Sequence, residues 1–357
     1  MDRSAEEVCD PCILAILGAA RAPKSSRGRE TLYPGTQYFG TSRHEMEFLT
    51  RHGVTHFDAT VDGYDTDTLI RHKEEAAENG VELEMIHIPW QEEIGLAQDP
   101  DRDKAIDKVC GWIENAAKAG LRGLNYNFLV LSADDAGGGV QRTERRSGRG
   151  GSTCSSFELS KYDNEKRYAA GDVSREECFE RAAYYLERII PVAEENKIQM
   201  ACHLNDPPAP VLNGVEKWNY PVFEGLKRFS ELVDSECHGF NFCCGVAAEG
   251  LEDPSKELAP IVKYFAERKK IFNVHFRNIH GGLHDFTETW PDEGDVDMRE
   301  IVKGLHEAGY KYMLMPDHAP HHPDDVAPEG VTGRVRQAWA FQFGYIIALI
   351  QAVRSEI

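Results

Sequence analysis

Short apolar or β-branched runs alternate with longer amphipathic stretches along almost the whole chain. Runs of four to seven residues at 54–60, 83–88, 123–128, 199–203, 239–243, 272–276 and 312–315 predict strands. A first strand precedes them, at 37–40 or 13–17. Helical spacing predicts helices near 42–52, 64–79, 102–119, 175–195, 220–234, 255–269, 297–308 and 335–353. Pro191 interrupts the fourth of these and predicts a kink or break there. Strand then helix, repeated about eight times, implies parallel strands joined by helical crossovers. Eight such units close into a (β/α)₈ barrel. An open doubly wound sheet would want a Gly-rich phosphate loop, and neither GxGxxG nor GxxxxGK[ST] occurs.

Composition adds limits. A chain of 357 residues with 41% hydrophobic and 28% charged residues buries an ordinary core. A barrel of this size is expected as one domain over residues 1–357, with an N-terminal extension at 1–34. The formal net charge of −20 repels phosphate backbones, which argues against nucleic-acid binding. The longest clean apolar stretch, 13–20, is far short of a membrane span, and the acidic start MDRSAEEVCD lacks the order of a signal peptide. A cytoplasmic protein with no membrane partner is expected. Nine cysteines without a secretion signal argue against a disulfide framework. The Cys9–Cys12 CxxC has no second pair to complete a zinc site and reads as two unpaired thiols.

One segment breaks the rhythm. Residues 132–165 are rich in Gly and Ser and carry Arg142, Arg145, Arg146 and Arg149. Following the fourth strand, this inserted loop would lie on the C-terminal face of the barrel, where active sites form. It reads either as a solvated insertion or as a lid bringing Arg142 to an anionic substrate.

The chemistry concentrates at strand ends. His203 ends QMACH, Cys243 ends GFNFC, His275 lies in FNVHF and Asp317 ends YMLMPD. They are separated by 40, 32 and 42 residues, about one β/α unit each, so one barrel face gathers them around one point. Two imidazoles, a thiolate and a carboxylate suit a borderline divalent ion such as Mn²⁺, Fe²⁺, Co²⁺ or Zn²⁺ and suit Ca²⁺ poorly. Arg277, two residues beyond His275, faces the same side and could clamp a carboxylate. His318 is placed for acid–base work. Glu288 lies in the following loop, and Asn125 and Asn127 could bind hydroxyls. These parts fit metal-assisted loss of water β to a carboxylate, or a sugar isomerisation.

From about Phe39 onward the motifs resemble those of D-mannonate dehydratases, in the xylose-isomerase-like barrel superfamily. They are NYNF (125–128), HLNDPP (203–208), GFNFCCG (239–245), HFRNI (275–279), GDVDM (294–298) and PDH (316–318). The resemblance implies an ion, usually Mn²⁺ and alternatively Fe²⁺, Co²⁺ or Mg²⁺, held by His203, Cys243, His275 and Asp317. It also implies a catalytic His318, a hexonic acid substrate giving 2-keto-3-deoxy-D-gluconate in hexuronate breakdown, and a homodimer or higher homo-oligomer. The family follows PDH with GR and a Tyr-rich stretch; here APHHPDDVAPEG follows, and no Tyr lies between Tyr312 and Tyr345. Counting back from Tyr345 puts Arg334 near the family's catalytic Tyr. That departure keeps two alternatives open: an isomerase or epimerase on the same barrel, and a sugar-acid-binding relative without turnover.

Overall fold

The computed structural model describes residues 32–135, 140–325 and 337–356. Eight parallel strands close a barrel in chain order. They are β1 (Tyr33–Phe39), β2 (His56–Ala59), β3 (Glu82–His87), β4 (Gly123–Asn127), β5 (Gln199–His203), β6 (His238–Cys243), β7 (Ile271–His275) and β8 (Met313–Met315). The helices between and after them are α1 (Arg43–Arg51), α2 (Thr66–Glu78), α3 (Asp101–Lys118), α4 (Arg175–Asn196), α5 (Val222–Ser230), α6 (Pro254–Glu267), α7 (Met298–Glu307) and α8 (Gln337–Ser355). Expected and observed elements agree to within a few residues. The first strand is the later of the two expected. The alternative at 13–17, the extension, Cys9, Cys12 and Arg334 lie outside the described residues.

The strands form because both faces are covered. β6 and β7 are buried at every position, the pattern of a parallel strand between an axial core and a ring of helices. Phe240 and Phe242 pack outward on Phe265 of α6. Gly239, Asn241 and Cys243 alternate with them and point to the axis. Helix starts follow local chemistry: Ser174 and Glu177 make a capping box at α4, and Asp297 accepts from the Arg299 and Glu300 amides at α7.

Two local expectations are corrected. α4 runs through Pro191 without a break. Pro191 faces solvent while Ile189, Ile190 and Ala193 are buried, so water can satisfy the carbonyl that lost its donor, and packing holds the helix. The 132–165 segment is also more than a loop. Its strands Glu144–Ser147 and Thr153–Glu158 join the hairpin Ile279–Gly282 and Asp285–Glu288 in a four-stranded antiparallel sheet. Arg146 ties it together through Glu144, Glu158 and Asp285, and Arg149 pairs with Asp292. Those two guanidiniums serve the sheet rather than an incoming anion.

Candidate active site

Strand register sets the site. Asn127 pairs with His203, Asn241 with His203, and Cys243 with His275, so successive strand ends meet at one level on the axis. The structure brings the four expected ligands together. His203 Nε2 lies 3.2 Å from His275 Nδ1, Asp317 Oδ1 lies 3.5 Å from His275 Nδ1, and Cys243 Sγ lies 3.4 Å from Asp317 Oδ2.

The outer atoms of both rings explain what the inner atoms offer. His203 Nδ1 is 2.7 Å from the Leu204 carbonyl. A carbonyl only accepts, so the proton is on Nδ1 and the Nε2 lone pair faces inward. His275 Nε2 is 2.9 Å from the Asn241 amide, whose Oδ1 as oriented is buried without a partner. Turning that amide lets Oδ1 accept from Nε2–H and leaves the Nδ1 lone pair facing inward as well. Two imidazole lone pairs then oppose each other at 3.2 Å, an arrangement that calls for a cation. Burial pushes the Cys243 thiol well above its usual range, with Arg277 opposing. Burial beside His275 also drives His203 down to about 3, so it is a neutral ligand at ordinary pH. The donor set fits a divalent ion.

Beside the ligands lies a buried ionic cluster. The Arg277 guanidinium reaches Asp206 at 3.0 Å, Glu249 at 2.8 Å and Glu288 at 3.0 Å, and is 1% exposed. Arg142, from the root of the inserted sheet, bonds Asp206, Glu249 and Glu288 from the other side. Both arginines were expected to meet substrate; here the Nη groups of both reach protein carboxylates, while Arg277 Nε is buried without a partner. Gly245 makes room for this, since a Cβ there would stand 2.1 Å from Arg277 Nε. Burial, reinforced by Asp206, pushes the Glu249 carboxyl well up, with Arg277 and Arg142 opposing. Two guanidiniums thus face the carboxyls of Asp206, Glu249 and Glu288 from opposite sides.

His318 closes the cluster toward solvent, with 37% of its side chain exposed. Its Nδ1 is 2.6 Å from Glu288 Oε1 and also 2.6 Å from an Arg277 nitrogen. Burial alone would lower its pKa, but the Glu288 and Asp317 charges prevail and raise it. Nδ1 is held, and Nε2 is left to act. Burial would likewise raise Glu288, yet His318, Arg142 and Arg277 hold it down at about 2. A depressed carboxyl stabilises the fold above its unfolded pKa, about 4.3, and that contribution is lost as pH falls toward 2. Wild-type protein is therefore expected to exceed Glu288→Gln in urea stability by roughly 3 kcal/mol near pH 6. The gap should close between pH 4 and pH 2; a pH-independent gap would refute the assignment.

The two asparagines part company. Asn127 reaches the rim, 3.2 Å from His87 Nε2. Asn125 is fully buried below the ligands, bonded to Asp58 and to Asn273, so it forms floor rather than a hydroxyl contact. Sequence reasoning passed over Asp206, Glu249, Gln37 and Asn241. The last carries a signal: it stands two residues before Cys243 and so shares its face.

Comparison with known proteins places the chain in a family. The D-mannonate dehydratase (UxuA) family model matches residues 157–356. The mannonate dehydratase of Streptococcus uberis is 31% identical over 271 residues, covering 69% of this chain and 75% of its own. That of Endomicrobium trichonymphae is 29% identical over 283 residues, 70% and 73% of the two chains. The crystal structure of mannonate dehydratase from Streptococcus suis serotype 2 superposes with a TM-score of 0.78 at 25% identity, over 91% of this chain and 95% of that one. A D-tagatose 3-epimerase-like protein shares the fold alone, with a TM-score of 0.56 at 15% identity over 90% and 98% of the chains. On the family match and the extent of these alignments, the chain belongs to the D-mannonate dehydratase family.

Proposed function

We propose that this protein is a metal-dependent hydro-lyase that converts D-mannonate to 2-keto-3-deoxy-D-gluconate. The observation that carries the reading is the ring of four donors with His318 Nε2 open beside it, in a chain of this family. His203, Cys243, His275 and Asp317 would hold the ion, for which we propose Mn²⁺, with Fe²⁺, Co²⁺ and Mg²⁺ as the ions to compare. A bound divalent ion supplies Lewis-acid stabilisation of charge developing on substrate oxygens.

The protein's own groups divide the remaining work. His318 moves a proton at Nε2: uncharged, it accepts the proton α to the carboxylate; charged, it gives one to the departing hydroxyl. Glu288 fixes the ring by accepting from Nδ1–H, and Arg277 in turn holds Glu288. Asn127 on the rim offers an amide to a substrate hydroxyl. Arg142 and Arg277 support the reaction by holding Glu288 and Asp206 in place. No helix among the described residues is long and apolar enough to cross a membrane, and assembly as a homodimer or larger is proposed from the resemblance.

The test is to strip the metal, restore Mn²⁺ and assay 2-keto-3-deoxy acid from D-mannonate and other hexonic acids. Product that requires both Mn²⁺ and D-mannonate is expected. Epimerised acid without loss of water would instead favour the isomerase reading, which the absence of a Tyr between Tyr312 and Tyr345 keeps in play. Binding without turnover under any of the ions would mark a sugar-acid-binding relative.

A further inference from the structure

Below the ligand ring a chain of hydrogen bonds crosses the barrel interior. It starts at Arg122, which can only donate. Arg122 Nη2 donates to Asn273 Oδ1 at 2.9 Å, and Asn273 Nδ2 donates to Asn125 Oδ1 at 3.1 Å. Asn125 Nδ2 in turn donates to Asp58 Oδ2. Each amide is therefore fixed in direction by its predecessor, and Asp58 Oδ2 must accept.

The chain is also fixed from above. Gln37 Nε2 donates to Asp317 Oδ1 at 3.0 Å. Flipping that amide would set its oxygen against a carboxylate, so Gln37 Oε1 must point elsewhere. Gln37 and Asp58 are register partners on β1 and β2, which puts both side chains on the axial side. They are 0% and 1% exposed. Two atoms remain without partners, Gln37 Oε1 and Asp58 Oδ1. Both are acceptors, and leaving two buried acceptors unmatched forfeits their solvation without return. A single proton on Asp58 Oδ1 resolves both.

We propose that Asp58 is a positioning residue that carries its proton and donates it to Gln37 Oε1, so that Gln37 aims Asp317 at the metal. The relay then reads Arg122, Asn273, Asn125, Asp58, Gln37, Asp317, with one donor and one acceptor at every joint. Burial supports it: it pushes the Asp58 carboxyl up to about 7, against the smaller opposing effects of the Asn125 bond and the Arg122 charge. The proposal rests on the metal-centre reading above, and it assigns a role to a residue that touches neither the ion nor the substrate.

The test measures Mn²⁺ affinity by calorimetry, and by electron paramagnetic resonance of free Mn²⁺, for wild type, Asp58→Asn, Asp58→Leu and His275→Ala. Thermal unfolding without ion is recorded for each. Asparagine can accept from Asn125 through Oδ1 and donate to Gln37 through Nδ2, so Asp58→Asn is expected to bind within about threefold of wild type. Asp58→Leu can do neither and is expected to lose about tenfold or more, the usual effect of removing a group that orients a ligand. Should the leucine variant fail to fold, Gln37→Leu reads the same link from its other end with the same expected loss. Rescue by asparagine separates positioning from mere filling of space. Leucine variants that bind like wild type, or an asparagine variant that loses as much as leucine, would overturn the relay. Wild type that binds no Mn²⁺, or binds it no better than His275→Ala, would overturn the metal-centre reading and the relay with it.

Discussion

Replacing His318 with asparagine is expected to lower kcat for dehydration of D-mannonate by about 10²- to 10⁴-fold, the range for losing a positioned acid–base group. Mn²⁺ affinity should hold close to wild type, and melting temperature should fall only modestly, because Arg142 and Arg277 still hold Glu288. The ring is 37% exposed, so its removal leaves no large void and opens the gap to water. The ligand atoms do not depend on it: His318 Nε2 stands 4.0 Å from Asp317 Oδ1, whereas Gln37 bonds that oxygen directly. The remaining effect is on proton transfer. A variant with near-wild-type kcat would remove His318 from the reaction and shift attention to the rim, where His87 and Asn127 form a polar pair.

Arg277→Leu is expected to have the largest effect on stability. Arg277 is 1% exposed and holds Asp206, Glu249 and Glu288 at once. Taking one partner from a buried ion pair costs about 3–5 kcal/mol, because the charges left behind are neither solvated nor matched. Urea unfolding should show that loss, together with loss of dehydratase activity as Glu288 and His318 lose their anchor. Arg277→Lys should rescue little, since an ammonium lacks the planar fork that meets several carboxylates at once. Arg142→Leu should be milder in stability: its side chain is 14% exposed, and water can enter where it stood. A loss under about 1 kcal/mol in Arg277→Leu would mean that Arg142 alone balances the cluster.

The barrel strands and the ligand positions were legible because they obey one repeat. A strand buried on both faces reads as a mostly apolar run, and metal-ligating residue types at its C-terminal end stand out against it. His203, Cys243, His275 and Asp317 occupy that place or the one just beyond it. The loops follow no such period. Asp206 sits in the stiff turn HLNDPP and Glu249 ends the short helix Cys244–Glu249, and neither position advertises a partner. Arg142 meets Glu288 across 146 residues of chain and Asp206 across 64. Such pairs are set by how loops fold over the barrel mouth. That also explains why Arg277 looked free for substrate: its position on the correct face was readable, its three carboxylate partners were not. The inserted segment hid its strands for a related reason. Thr153–Glu158 is half buried, with only weak alternation, and its partner Asp285–Glu288 is just as short and polar.

The four-stranded sheet over the mouth also gives the two halves of the site separate foundations. Glu288 belongs to a strand that pairs with Thr153–Glu158, drawn from a stretch of chain more than a hundred residues away. The metal donors stand on barrel strand ends, whereas the anchor for His318 stands on this sheet. A change that unpairs the two sheet strands would therefore spare the donors and cost the proton carrier its orientation.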